Sequence, residues 1–158
     1  MAKVNSIGNA TSELNVNEAY SLPTVDGSSG NVLTTDGSGN VSWLAQASGG
    51  LTYEEITEAT KAMQVNYCYY ANRSLGIEFT LPVSSANGDI IKIVGISGIW
   101  KVGQNDSQSI YFGTDNTIVG ITGKLVADNV GDCVTLCCIE ANISWRAVSY
   151  WGTFHKEG

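Results

Sequence analysis

The chain has 158 residues, of which 43% are hydrophobic and 15% charged, with 18 glycines and a formal net charge of −7. The 8 basic residues form no cluster, which argues against nucleic-acid binding because contacts along a phosphate backbone need a basic stripe. A weakly charged chain rich in glycine, asparagine, serine and threonine is typical of short strands joined by tight turns. We therefore expect an all-β fold and not a helical bundle.

Membrane insertion is not expected, because the uninterrupted apolar runs span only a few residues. The first residues, Met1 to Ser6, lack the apolar segment of a secretory signal peptide. If the protein acts outside a cell, we expect it to leave by lysis or through a dedicated exporter.

Residues 1–50 are predicted to form an extended arm followed by a β-hairpin. A near-repeat, Asp26 to Val32 and Asp36 to Val41, carries Asp-Gly and Gly-Asn turn dipeptides and places the hairpin turn near 36–39. A two-stranded hairpin is marginal alone, so we expect it to pack on the main domain or on another copy of the chain. The predicted assembly contacts are the apolar residues Val4, Ile7, Leu14, Val16, Leu22, Val32, Leu33, Val41 and Trp43.

Residues 51–64 are predicted to form a linker with one short helix, after a flexible joint at 46–50. Thr52 and Glu55 have the spacing of a capping box. The apolar positions that follow recur at helical spacing, at Ile56, Ala59, Thr60 and Met63. The predicted helix covers 53–63, about three turns.

Residues 65–158 are predicted to form a C-terminal β-sandwich or barrel-like domain built from two related hairpins. Gly88-Asp89 and Gly131-Asp132 each precede a strand, and Trp100 and Trp145 each begin the next one. Alternation within the repeated strands predicts an inward face formed by Ile91, Ile93, Val134 and Leu136. Both tryptophans are expected in the core.

The segment from Tyr20 to Trp43 resembles a linker motif of bacteriophage and viral tail-fibre and tail-spike proteins. More loosely, 88–95, 100–105 and 109–113 resemble the distal domains of such fibres and of some large-virus surface proteins. The resemblance implies a homotrimer about one axis, located on a virion or an extracellular appendage. Tail fibres are usually far longer and begin with a baseplate attachment region, so we expect either a short distal fragment or a complete subunit that has lost the virion context. No catalytic residues belong to this pattern, so none are carried over.

Three functions remain open. The first is a non-enzymatic structural or adhesive module that binds a cell-surface glycan through exposed aromatic rings, for which the candidates are Tyr69, Tyr111, Tyr150 and Trp151. The second is a filament subunit that polymerises head to tail through its N-terminal arm. The third is a polysaccharide depolymerase with a carboxylate pair, for which the candidate acids are Glu78, Asp89, Asp106, Asp115, Asp128, Asp132 and Glu140.

Metal and cofactor sites are not expected. The four cysteines, Cys68, Cys133, Cys137 and Cys138, contain no CxxC motif and are interpreted as small buried side chains, with their oxidation state left open. Asn105-Asp106 and Asp115-Asn116 offer oxygen ligands for calcium but are better explained as turns. The single histidine, His155, is expected to fray or to form an assembly contact and not to act in catalysis.

Overall fold

The computed structural model describes residues 15–16, 20–45 and 50–158. The chain divides into two compact units, Met1–Gly49 and Gly50–Gly158. The described residues form sixteen strands and no helix, which confirms the all-β class. They accordingly contain no helix that could cross a membrane. Residues 46–49 of the predicted joint and most of the predicted arm lie outside the described residues.

The first unit contains two small antiparallel pairs, β1 with β2 and β3 with β4. Their bounds are β1 (Asn15–Val16), β2 (Tyr20–Ser21), β3 (Asn31–Thr35) and β4 (Val41–Ala45). The β3–β4 pair is the predicted hairpin, and its turn lies where the sequence places it.

The Asp36 carboxylate holds this turn together. It accepts hydrogen bonds from the backbone N–H of Ser38 (2.7 Å) and Asn40 (3.2 Å) and from the Asn40 side-chain amide (2.6 Å). Gly37 and Gly39 have φ angles of 77° and 94°, a region that glycine adopts without strain. The earlier copy of the repeat forms no hairpin turn. There Gly27 lies under the Trp43 ring, so close that a Cβ would be 2.6 Å from it.

The second unit is a sandwich of two sheets. The five-stranded sheet has the order β16-β13-β10-β8-β6, and the seven-stranded sheet has the order β12-β11-β15-β14-β9-β7-β5. The bounds are β5 (Thr52–Ile56), β6 (Thr60–Ala62), β7 (Tyr67–Asn72), β8 (Ile77–Thr80), β9 (Ile90–Ser97), β10 (Trp100–Gly103), β11 (Ser109–Phe112), β12 (Asp115–Asn116), β13 (Lys124–Ala127), β14 (Cys133–Glu140), β15 (Ser144–Trp151) and β16 (Phe154–Glu157).

Buried side chains from both sheets fill the space between them, and Trp100 and Trp145 are both in this core, as predicted. Tyr69 of the seven-stranded sheet meets Phe79 of the five-stranded sheet at 5.7 Å between ring centroids. Aromatic pairs at this separation add to the stabilisation from burial alone.

From β5 to β10 the chain alternates between the sheets and winds as a coil around the core. β5, β7 and β9 lie side by side and parallel in the seven-stranded sheet. β6, β8 and β10 do the same in the five-stranded sheet. The later strands include antiparallel pairs, among them β14 with β9 and β15, and β13 with β10 and β16.

The internal repeat is confirmed in its turns and in its inward face. The backbone N–H of Ala86 donates to the Asp89 carboxylate (2.7 Å), and that of Asn129 donates in the same way to Asp132 (2.9 Å). The predicted inward residues Ile91, Ile93, Val134 and Leu136 are all buried.

The prediction of two similar hairpins is wrong for the first copy. β14 and β15 pair as a hairpin, but β9 and β10 lie in different sheets. The Trp100 indole N–H donates to the backbone oxygen of Asp132 (3.1 Å), whereas the Trp145 N–H has no partner within the described part of the chain.

The predicted helix is also wrong, because residues 51–64 contribute β5 and β6 to the sandwich. Ile56 and Met63 are both buried, but they enter the core from β5 and from the residue after β6. An isolated helix of this length is marginal in water. Parallel pairing of β5 with β7 and of β6 with β8 therefore decides the structure of this segment.

Candidate functional site

The outward side of the five-stranded sheet is polar and its charges are paired. Two rows cross it in register, Thr60-Glu78-Lys101-Val126-His155 and Ala62-Thr80-Gly103-Lys124-Glu157. Glu78 forms ion pairs with Lys124 (2.6 Å) and Lys101 (3.5 Å). The hydrogen bond from Lys124 holds the pKa of Glu78 below its usual value, and Lys101 lowers it further. This is how a solvated sheet face is expected to look.

A groove of about 480 Å³ lies on the same side, beside the loops that precede β8 and β10. Its lining combines the charges of Arg73, Glu78, Lys101 and Glu157 with exposed Leu75. Arg73 donates to the backbone oxygen of Gly76 (2.6 Å), and Glu78 and Lys101 already pair with each other. Most charged groups of the groove are therefore already paired within the protein, which leaves little for a ligand to bind.

The outward side of the seven-stranded sheet is different, and we call it the outer seven-stranded face. Three rows define it in register: Glu55-Tyr70-Val94-Cys133-Trp151, Tyr53-Cys68-Lys92-Thr135-Ser149 and Ile90-Cys137-Arg146-Tyr111. Its charged residues are Glu55, Lys92 and Arg146, and most of the others are apolar or aromatic.

Two of the four aromatic rings on this face are well exposed, and three of the four make ring contacts. Trp151 is 77% exposed and Tyr53 is 66% exposed. Tyr53 stacks on Tyr70 with 5.9 Å between ring centroids. The Arg146 guanidinium lies 4.9 Å from the centre of the Tyr111 ring, within cation–π range.

Among the four predicted glycan-binding aromatics, Tyr69 is wrong as an exposed residue. It is fully buried, and its hydroxyl accepts a hydrogen bond from the backbone N–H of Gln64 (2.7 Å). Burial raises the pKa of Tyr69. The neighbouring Tyr70 faces outward in its place.

The other three do not form one platform. Tyr111 and Trp151 share the outer seven-stranded face but are far apart. Tyr111 is opposite Arg146 of β15, and Trp151 lies five residues beyond Arg146, about 16 Å along the strand. Tyr150 is on the inward side, at the border of the core. There it meets Phe112 and Phe154 at 4.6 and 6.1 Å between ring centroids, in a cluster that we call the aromatic margin.

The hairpin carries apolar cross-strand pairs on both of its sides. Val32 is opposite Leu44 on one side, and Leu33 is opposite Trp43 on the other. The Trp43 N–H donates to the backbone oxygen of Val25 (2.9 Å), which holds part of the 25–27 loop against the second side. Val32, Leu33 and Leu44 are 37%, 47% and 54% exposed.

The remaining predicted assembly residues are less informative. Leu22, Val41 and Trp43 are half-buried. Val16 lies in β1, and Val4, Ile7 and Leu14 lie outside the described residues.

The two ends of the sandwich are each closed by an inward-facing ion pair between edge strands. At one end Glu54 of β5 pairs with Lys61 of β6, and Lys61 also lies over the Tyr69 ring. At the other end Asp115 of β12 pairs with Lys156 of β16 (3.0 Å). Register assigns all four side chains to the inward side, because their cross-strand partners Tyr69, Phe79, Phe112 and Leu125 pack in the core.

Within the part of the chain that the structure describes, six of the seven candidate acids of a depolymerase have structural partners, the exception being Asp106. Asp89 and Asp132 bind their own turns, as the turn interpretation predicts, and Glu78 belongs to the lysine network. His155 lies in the edge strand β16 and contacts Asp128. The expectation that this end of the chain frays is therefore wrong.

Asn105 and Asn116, which the sequence predicts as turn residues and not as calcium ligands, take part in loop hydrogen bonds. The Asn105 amide donates to the backbone oxygen of Leu81 (2.8 Å), and the Asn116 amide donates to that of Thr117 (2.9 Å). Within residues 15–16, 20–45 and 50–158, no group of three or more His, Cys, Asp or Glu side chains is placed to hold a metal ion.

The four cysteines are free thiols on two sides of the seven-stranded sheet. Cys138 is in the core, whereas Cys68, Cys133 and Cys137 belong to the outer seven-stranded face. Cys68 is nonetheless buried, and burial raises its pKa. Cys133 and Cys137 are partly exposed, so the interpretation as buried side chains is right for two of the four.

The sequence reasoning missed most of the outer seven-stranded face. The available signal was that β7, β9 and β14 carry apolar residues at both inward and outward positions, for example Cys133-Val134 and Cys137-Cys138. Near-continuous apolar strands are typical of sheets covered on both sides.

Comparison with known proteins finds no matching protein family and no curated protein with significant sequence similarity.

Proposed function

We propose that this chain is a non-enzymatic structural subunit of a homotrimeric, tail-fibre-like appendage, located on a virion or outside a cell. The observation that carries this proposal is the hairpin β3–β4 with apolar pairs on both sides. A two-stranded ribbon is marginal in water and needs additional layers to be stable.

The two sides of the hairpin call for two covering surfaces. The loop 25–27 of the same unit lies against the Leu33–Trp43 side through the contacts of Trp43. The Val32–Leu44 side, with exposures of 37% and 54%, is the natural contact for neighbouring copies. Covering both residues removes apolar surface from water, worth about 25 cal/mol per Å².

The resemblance to tail-fibre linker motifs supports the same assignment. The motif from Asp26 to Trp43 contains the turn carboxylate Asp36, both turn glycines and the Trp43 contact to Val25. The residues that carry the resemblance are thus the residues that build the hairpin.

Glycan binding is a second candidate function, favoured by the aromatic margin. Tyr150 is 55% exposed and is supported from behind by Phe112 and Phe154. An exposed tyrosine ring backed by other aromatic rings suits stacking on a sugar. A glycan array probed with the protein and with Tyr150→Ala tests this. Loss of every signal in the variant is expected, and equal signals would exclude the aromatic margin.

Light scattering after size exclusion tests the trimer directly. The expected mass is three times 16.7 kDa, and a monomer at all concentrations would overturn the proposal. Long fibres in negative-stain images that vanish on deletion of residues 1–19 would instead identify the head-to-tail filament.

A matched pair of double variants tests the hairpin. Val32→Thr with Leu44→Thr removes the apolar pair while keeping residues that favour strands. Val83→Thr with Leu75→Thr makes the same changes at exposed sites of the second unit, 77% and 83% accessible. We expect weaker trimers only with the first pair.

A further inference from the structure

We propose that the outer seven-stranded face packs against a second copy of this chain in the assembled protein. This inference rests on the proposed self-assembly and adds the surface through which the sandwich domains meet.

The first argument is the pattern of the central strands. β14 places Val134, Leu136 and Cys138 in the core, yet its outward positions are Cys133, Thr135 and Cys137. A sheet with one side in water normally alternates apolar and polar residues, whereas apolar residues on both sides indicate cover on both sides. The five-stranded sheet of the same sandwich provides an internal comparison, because its outward side carries the paired charges of Glu78, Lys101 and Lys124.

The second argument is the kind of residues on the face. Tyr53, Tyr70, Tyr111 and Trp151 are present together with Arg146. Aromatic residues and arginine are enriched in the centres of protein interfaces, where other charged residues are depleted. Exposed apolar patches of this kind mark interaction sites.

The third argument is size. Seven strands about 4.8 Å apart and two to eight residues long give a flat area of about 600 Å² before side-chain relief is added. A stable interface buries about 800 Å² on each partner. With its side-chain relief, the face is therefore of the same order as the surface that one partner contributes to a stable interface.

The fourth argument is that the ends of the sandwich are blocked. The inward pairs Glu54–Lys61 and Asp115–Lys156 put charges where an added strand would need apolar contacts. Inward-pointing charges on edge strands are a known protection against edge-to-edge pairing. Sandwiches of neighbouring copies are thus expected to meet through a face.

Charge placement favours a second copy as the occupant. Glu55 lies on edge strand β5, and Arg146 lies on β15 toward the opposite border. When copies pack through this face, the acidic border of one meets the basic border of the next, and this complementary contact repeats around a ring of three.

The native cysteines provide the test. Cys133 and Cys137 are partly exposed on the face, whereas Cys68 and Cys138 are both 1% exposed and serve as internal controls. The full chain is alkylated with iodoacetamide at one protein concentration where it is assembled and at a lower one where it is dissociated. Peptide mass spectrometry then measures the alkylation rate of each thiol. We expect Cys133 and Cys137 to react at least tenfold more slowly in the assembled protein. Equal rates in both states would overturn the inference while leaving the trimer intact.

A matched pair of variants gives an independent readout. Thr135→Glu puts a carboxylate in the middle of the face, opposite Lys92, so the single sandwich tolerates it. Thr80→Glu makes the same change at a half-buried site on the five-stranded sheet, where Thr80 faces outward. Thr135→Glu is expected to weaken self-association at least tenfold, and Thr80→Glu to leave it unchanged. If both variants assemble like the unaltered chain, the face is not the interface, and a monomer at all concentrations would overturn the proposed function as well.

Discussion

Asp36 shows how much local structure one side chain can specify. Its carboxylate accepts three hydrogen bonds within five residues, and the side-chain amide of Asn40 contributes most to holding the pKa of Asp36 below its usual value. The sequence-related Asp26 accepts one hydrogen bond, from the N–H of Gly27 (2.9 Å). Two nearly identical sequences therefore form one tight hairpin turn and one open loop.

Asp36→Ala is expected to loosen the hairpin, because three donors lose their acceptor and two flexible glycines remain. Faster amide hydrogen exchange at Ser38, Asn40 and the β3–β4 pairs would show it. Asp26→Ala is the control and should leave those rates unchanged. Equal protection in both variants would mean that the strands alone hold the turn.

Glu78 links stability to pH. Its pKa is lowered in the folded protein, chiefly by the hydrogen bond from Lys124. A lowered carboxylate pKa stabilises the fold above the unfolded value of about 4.5 and loses that contribution as the pH falls through the lower folded pKa.

Glu78→Gln should therefore reduce the free energy of unfolding at pH 7 by less than about 1 kcal/mol, because the pair is partly exposed. The difference in the free energy of unfolding between Glu78→Gln and the unaltered protein should shrink as the pH falls from about 4.5 through the lower folded pKa of Glu78. Denaturant unfolding at pH 7 and pH 3, at one protein concentration, measures it. A difference independent of pH would assign the effect to packing.

At the scale of elements, the structure separates what the sequence could and could not reveal. The hairpin was predictable because its glycines and Asp36 encode the turn locally. β5 and β6 were not, because Glu54 and Lys61 point inward and so hide the period-two alternation of a strand. The partner sheet of β10 was equally hidden, since only tertiary pairing with β8 and β13 decides it.

The candidate surface was predictable only in part, for a similar reason. Cys68, Tyr69 and Tyr70 are suitable for either side of a sheet, and a shift of one residue exchanges their environments. Tyr69 is in the core and Tyr70 faces outward because Tyr69 pairs with Ile93, which is itself buried. The sequence predicts Trp151 and Tyr111 as outward aromatic residues. That both lie on the outer seven-stranded face follows only from the strand register.

Removing the Glu54–Lys61 ion pair at one end of the sandwich should allow edge-to-edge pairing between copies of the chain. In Glu54→Val with Lys61→Val, the edge strands β5 and β6 become apolar on their inward side, and their free backbone groups can pair with another sheet. We expect species larger than the native assembly in sedimentation velocity.

Glu58→Val with Lys101→Val removes the same charges away from the inward edge positions and is the control for this double variant. If both double variants sediment alike, the ion pair does not protect the edge.

At the scale of the whole molecule, folding and assembly are expected to be coupled. A partner that binds the folded state alone raises its stability with concentration. The thermal midpoint of the unaltered chain should therefore rise by several degrees over a hundredfold increase in protein concentration, measured by calorimetry. The hairpin variant Val32→Thr with Leu44→Thr should show a smaller rise, and a midpoint independent of concentration in the unaltered chain would argue against coupling.

The coil from β5 to β10 also determines the order in which the molecule can be built during translation. Each strand from β7 to β10 pairs with the strand two before it in the sequence. Each of these strands can therefore pair as soon as it has been synthesised, before the later strands exist. β9 and β10 then need β14 and β13 to cover their free edges. A chain that ends soon after Gly103 would leave β9 and β10 as unpaired edges. Neither strand carries the inward charges that protect β5 and β6, so we expect this truncated chain to aggregate.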